Sequence, residues 1–220
     1  MHRYMICYSK QGPVRYIAHL DLMRELERSM RRARLPVAFS EGFNPHPKLS
    51  IAAPLPVGTE GLAELAEVEM SRAVELGQMT ESLNAVLPDG LKVREVTKMD
   101  DTAPALMAAL ERAVYIVRLD GEDLPAPLPG DAIEGFLARD SVEIRRRGRD
   151  GKEKIRDIRP GIVKVEALPD NDGLLLKMEL KTGSAMNVRP AEAVTALLEY
   201  AGVKADPADL QITRIGLFTG

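Results

Sequence analysis

"YMICYSKQGPVRYIAHLDLMRELERSMRRARLP", residues 4–36, decides how the first half of the chain folds. Its opening, "YMICYSKQG", alternates as a strand does. "SKQGPVRY" carries Gly12 and Pro13 side by side, a turn signal. In "HLDLMRELERSMRRARLP", Leu20, Met23, Leu26, Met30 and Ala33 recur at spacings of three and four. That spacing predicts one face of a helix, which Pro36 stops. Beyond it, "VAFS" and "KLSIAAPLPVG" read as a strand pair, and "AELAEVEMS" as the next strand. "AVELGQMTESLNAVLPDG" reads as a helix ended by Pro88 and Gly90, and "LKVREVTKM" as a further strand. The order is β-α-β-β-α-β, the ferredoxin-like pattern.

The second half repeats the order. "RAVYIVRLDGE" is a strand and "PLPGDAIEGFLARDS" a short helix opened by Asp131. "VEIRRRGRDGKEKIRDIRPGIVKVEAL" is strand, basic turn and strand, and "GLLLKMELKTGS" another strand. "RPAEAVTALLEYAG" is a helix with Pro190 near its start and Gly202 at its end. "LQITRIGLF" closes the set. The expected fold class is α+β, two tandem ferredoxin-like units over residues 1–100 and 113–220. "KMDDTAPALMAALERA", residues 98–113, is the expected linker.

The chain has 220 residues and 45% hydrophobic content, enough for one large or two small domains with a core. No apolar run approaches the roughly 20 residues of a membrane span, and no secretory signal is visible. The expectation is a cytoplasmic protein without a membrane partner. One cysteine, Cys7, excludes an internal disulfide and a cysteine-ligated cluster. His2, His19 and His46 are too scattered for a metal triad. No metal and no cofactor are expected.

Net charge is −3, yet residues 1–50 hold nine Lys or Arg against four acids. Local patches matter more than the sum. Arg24, Arg28 and Arg31 fall at i, i+4 and i+7 of the predicted helix, with Arg32 beside them, so the guanidinium groups project together. Lys10 and Arg15 flank the preceding turn. Arginine forks suit phosphate. The same stripe also reads as a solvated face with local Glu–Arg pairs.

"SEGFNPHPKLS", residues 40–50, then holds a histidine between two prolines. Each proline fixes its own φ and biases the residue before it to extended backbone. The loop reads either as a rigid connection or as a preorganised ridge presenting Phe43, Asn44, His46 and Lys48. His19 and His46 are the candidate acid–base pair should the chain itself cleave or modify a phosphodiester substrate. In the second half, Arg145 and Arg147 share one strand face with Arg146 opposite. Arg156 and Arg159 flank Asp157, most simply as an ion-pair network. Arg189 precedes the helix beginning at Pro190, an anion-friendly place. P-loop, dinucleotide-binding, nucleophile-elbow and CxxxCxxC motifs are all missing from the sequence.

"KQGPVRYIAHLDLMRELERSMRRARLPVAFSEGFNPHPKLSIAAPLPVG", residues 10–58, closely resembles the opening of the bacterial radical SAM-linked proteins of unknown function. In that family the domain often extends a B12-binding-type radical SAM protein at its C-terminus and elsewhere is a separate chain, and this sequence looks like the separate form. "KIRDIRP" and "NVRP" also fit the family pattern. Ala18 stands where relatives often have serine, which weakens a hydroxyl role at the helix cap. The resemblance implies a radical SAM partner and a loose association with RNA, and no established activity. Three functions follow as expectations. One is an RNA-binding adaptor that assists a radical SAM enzyme in tRNA or rRNA modification, with Tyr16, Phe39 and Phe43 as stacking groups and core packing favoured for Phe39. Another is a metal-independent RNA-processing or RNA-modifying enzyme using His19 and His46. The remaining one is a protein-docking domain without RNA contact.

Overall fold

The computed structural model describes residues 2–120, 128, 131–148, 151–170, 173–183 and 185–219. The protein is mixed α+β. It divides into two compact units, one of residues 1–110 with 214–220, the other of residues 111–213. The expected boundaries were 1–100 and 113–220. The division falls at 110/111, inside the expected linker of 98–113, and the chain from 214 onward counts with the first unit. Within the first unit Arg214 is buried against Glu64, donating from Nε to its Oε1 (2.8 Å) and from Nη2 to its Oε2, while Nη2 also donates to the Ala53 carbonyl (2.6 Å).

The first unit runs β1 (His2–Lys10), α1 (His19–Arg32), β2 (Leu49–Ile51), β3 (Glu60–Met70), α2 (Leu76–Asn84), β4 (Leu91–Lys98) and α3 (Leu106–Ala109). Its sheet order is β4-β1-β3, with β2 on β3, each of these pairs antiparallel. Alternation along β1 sends Tyr4, Ile6 and Tyr8 to one face, where they join Ala66, Val68 and Met70 of β3 and the apolar faces of α1 and α2. The opposite face is covered by Ala52, Ala53, Leu106 and Leu110. Glu75 opens α2 by accepting from the amides of Gly77 and Gln78 (3.0 and 2.6 Å). Asn84 ends it, its side-chain amide pairing with both backbone groups of Val93.

Two sequence expectations are corrected here. The buried line of α1 is Leu22, Leu26 and Met30, with Ser29. Leu20, read as part of that face, is 66% exposed. "VAFS" forms no strand. Val37 and Phe39 make only isolated bridges, to Met70 and Pro47, and β2 is three residues long. Pro45 and Pro47 lack the amides a ladder needs.

The second unit runs β5 (Leu110–Asp120, all but its first residue), α4 (Ala132–Leu137), β6 (Glu143–Arg147), β7 (Glu153–Asp157), β8 (Ile162–Leu168), β9 (Gly173–Lys181) and α5 (Pro190–Tyr200). The last strand, β10 (Gln211–Thr219), begins in this unit. Here β5-β9-β8 pair antiparallel, and β6 with β7 forms a separate two-stranded ribbon. Phe136 of α4 packs on Tyr200 of α5, ring centroids 5.9 Å apart. Gly161 lies so close to Val188 that a Cβ would sit 2.4 Å from its methyl, so only glycine fits. The start of the expected helix at 127–130 and part of the "RGRDG" turn lie outside the described residues, Leu128 excepted. Among the described residues no helix is long and apolar enough to cross a membrane.

Candidate functional site

The first unit's basic residues separate into those consumed by the fold and those left over. Lys10, expected as a phosphate contact, is 1% exposed. Its Nζ donates to the carbonyls of Arg15 and Ile17 (3.1 and 2.8 Å), clasping the 3-10 turn that delivers the chain into α1. Burial pulls its pKa below the ordinary lysine value, against the opposing pull of Glu64. Arg15 is likewise occupied. It pairs with Glu60 (3.3 Å), donates to the Tyr16 hydroxyl (3.0 Å) and lies over the Tyr16 ring at 5.0 Å. Lys48 is held by both carboxylate oxygens of Glu69 (3.1 and 3.0 Å).

Helix α1 carries the rest. With Leu22, Leu26 and Met30 turned inward, the outer face exposes Arg24, Arg28, Arg31 and Arg32. Arg24 pairs with Asp21 (3.0 Å), and Arg32 donates to Glu25, Ser29 and the Val86 carbonyl (2.6, 2.9 and 3.0 Å). Among the described residues Arg28 and Arg31 have no ion pair. Nor has Arg34, which follows the helix at φ 56°. There Leu35 N donates to Met30 O and Arg34 N to Arg31 O, both 3.0 Å, closing the helix in a Schellman arrangement. Arg34 was not among the sequence candidates; a non-glycine left-handed residue leaves no mark in a sequence.

The proline loop folds back as a narrow hairpin. Ser40 N donates to His46 O (2.8 Å), His46 N to Ser40 Oγ (3.0 Å) and Lys48 N to Ala38 O (2.8 Å). At its tip Gly42 has φ 115°, and Phe43 and Asn44 are fully solvent-facing. Between the hairpin and the last turn of α1 lies a groove of about 550 Å³. Met30, Leu35, Val37 and Phe39 make its apolar wall, and Arg31 and His46 are its cationic and imidazole groups. Phe39, expected to pack in the core, is 56% exposed. His46 lines this groove and His19 does not. His19 sits at the first position of α1 with Nδ1 buried and unpartnered. His19 and His46 therefore do not share this groove. On the other side of α1 a second, shallower concavity of about 820 Å³ is lined by Tyr16, Asp21, Glu25, Arg28 and Arg32.

In the second unit Arg145 and Arg147 are exposed on one face of the ribbon, and Arg156 on the other. Arg147 also donates to the Gly151 carbonyl (3.3 Å). Arg146 fastens the ribbon to α5 through both oxygens of Glu192 (2.7 and 2.5 Å). Arg159 is structural: its guanidinium donates to the carbonyls of Leu137 (2.9 and 2.5 Å) and Ile162 (2.9 Å). Asp157 is no ion-pair bridge between arginines. It accepts from the amides of Val142 (2.8 Å) and Arg159 (2.9 Å), and these bonds hold its carboxyl below the usual range. Arg189 caps α5 without a side-chain bond and lies 3.7 Å from Glu192. Among the described residues no cluster of three or more His, Cys, Asp or Glu could hold a metal ion.

The family described as "Uncharacterized protein conserved in bacteria (DUF2344)" matches residues 3–190. The chain belongs to this family. The matched span of this DUF2344 protein contains α1, the proline hairpin and the basic ribbon. No curated protein matches it. Among solved structures, a chain from "Crystal Structure of a Cbf5-Nop10-Gar1 Complex" is 12% identical with a TM-score of 0.48, covering 97% of this chain and 48% of that one. This chain thus spans about half the length of that relative. A second, "Crystal Structure of an Unknown Protein from Galdieria sulphuraria", is 12% identical with a TM-score of 0.28, covering 100% and 98%.

Proposed function

We propose that this DUF2344 protein is an RNA-binding adaptor that assists a radical SAM enzyme in tRNA or rRNA modification. One observation carries the RNA reading. Arg28, Arg31 and Arg34 stand exposed and, among the described residues, without ion pairs on α1 and just past its end, Arg31 on a groove walled by Phe39 and Arg28 on the concavity at the other side of the helix. Guanidinium groups that the fold leaves unpaired are available to phosphate. The radical SAM partnership rests on the resemblance of residues 10–58, and the chemistry is assigned to that partner. The finer fold reading, two ferredoxin-like units, is supported in the first unit by the element order β1-α1-β2-β3-α2-β4 with β4-β1-β3 in the sheet and β2 on β3.

The test is RNA binding by the purified protein as a function of salt. Affinity is expected to fall steeply, and Arg28→Ala and Arg31→Ala should each lower the log–log salt slope by about one unit. Binding indifferent to salt rejects the helix as a phosphate track. Absence of RNA binding together with capture of a radical SAM protein would instead support the docking reading.

A further inference from the structure

Resting on that reading, we infer that the groove between α1 and the proline hairpin takes one unpaired base of a single-stranded RNA, stacked on Phe39, while the flanking phosphates stay at its rim on Arg31 and Arg34. The groove has two chemistries in the right places. Its wall is apolar, made by Met30, Leu35, Val37 and Phe39, and its volume of about 550 Å³ is that of a small-molecule pocket, not of a duplex channel. Phe39 is more than half exposed although it is a large apolar side chain, so its ring is free to stack.

The charge distribution assigns base and backbone to different places. Glu27 is the one carboxylate on the groove lining. It opposes a phosphate inside and can accept from base N–H groups. Arg31 lines the groove and Arg34 is exposed just past the end of α1, next to the lining residue Leu35, where a backbone can be held without entering. A base paired in an A-form helix cannot leave its stack to fill such a groove without the cost of opening the pair, whereas an unpaired one can. His46 lines the same groove, beside Pro45 and Pro47.

The experiment compares a short fluorescein-labelled single-stranded RNA, the same sequence as a duplex, and the same strand with abasic sites, by anisotropy. The single strand is expected to bind at least about tenfold more tightly than either of the others, since stacking on one aromatic ring is worth about that factor or more. Phe39→Ala should remove that advantage while leaving the salt slope unchanged, and Arg31→Ala should lower the slope. Phe39→Leu, which keeps an apolar wall without a ring, should lose the advantage too. Melting curves for each variant verify folding. Equal affinity for single strand, duplex and abasic strand overturns the base-in-groove inference while leaving the RNA reading standing. Failure to bind any of the three overturns both.

Discussion

Arg34 sits at φ 56°, where a β-carbon crowds the following carbonyl at a penalty of about 1–2 kcal/mol. Glycine is the usual occupant of this position after a helix. Arg34→Gly is therefore expected to stabilise the protein by about 1 kcal/mol, which for a chain of this size raises Tm by roughly 2–4 °C. The same change should weaken RNA binding if the guanidinium earns its strained place by contacting phosphate. A higher Tm with unaltered RNA affinity would remove Arg34 from the interface. Lys10 offers the opposite case. Its ammonium is spent on two backbone carbonyls, so Lys10→Met should lower stability while the salt slope of binding stays as in the wild type. A drop in slope would return it to the phosphate track. Lysine and arginine in a basic segment look alike in sequence. What separates Lys10 from Arg31 is that β1 turns one inward and α1 turns the other out, and that depends on neighbours remote in the chain.

The proline hairpin and the helix before it were legible as elements, and their details were not. The three-and-four spacing in α1 was real: Leu26 and Met30 are buried and Met23 and Ala33 pack partly buried against the same core, but the face is centred on Leu22, and Leu20 is left exposed. The stiffness of residues 44–47 was readable from Pro45 and Pro47. That "VAFS" would be left with bridges alone was not, because ladder formation depends on the partner's amides as much as on local propensity. Replacing both prolines by alanine should change stability by no more than about 1 kcal/mol, the loop being exposed, and weaken RNA binding more than that. A large fall in Tm with unchanged affinity would make the hairpin a structural clamp instead. The base of the β6–β7 ribbon provides a pH handle. Asp157 has a depressed carboxyl pKa in the folded state, because its Oδ1 accepts from the Val142 and Arg159 amides. Its contribution is complete above the ordinary carboxylate value of about 3.9 and is lost as pH falls through the lower folded value. The Tm advantage of the wild type over Asp157→Asn should thus be constant from neutral pH to about pH 5 and shrink below about pH 4. A difference that does not vary with pH would show the carboxylate charge to be irrelevant there.

Across the whole molecule, the sequence reads as one element order given twice, the structure divides into two compact units, and the membership of the final residues was not legible. Nothing in "LQITRIGLF" distinguishes Arg214 from a solvated arginine. Its burial at 2% exposure beside Glu64 at 1% follows from a pairing between residues 150 positions apart. Such a pair is costly to break from one side, since the abandoned charge stays in a dry place. Arg214→Ala should destabilise the first unit by about 3–5 kcal/mol, and Arg214→Met combined with Glu64→Leu should recover much of that. Denaturant melts of the single and double variants test this. A single variant as stable as the wild type would mean that the buried ion pair contributes nothing net to the first unit.

That buried pair also has a consequence in time. Glu64 leaves the ribosome 150 residues ahead of Arg214, a delay of roughly 10–30 s at bacterial elongation rates. Once residue 110 has followed, the nascent first unit has most of its core residues but a carboxylate with no guanidinium to meet it. The second unit, residues 111–213, is synthesised entirely within the wait. The half of the protein made first is therefore the half finished last, and a chain released before residue 214 leaves its N-terminal unit, α1 and hairpin included, without the lock on which it closes.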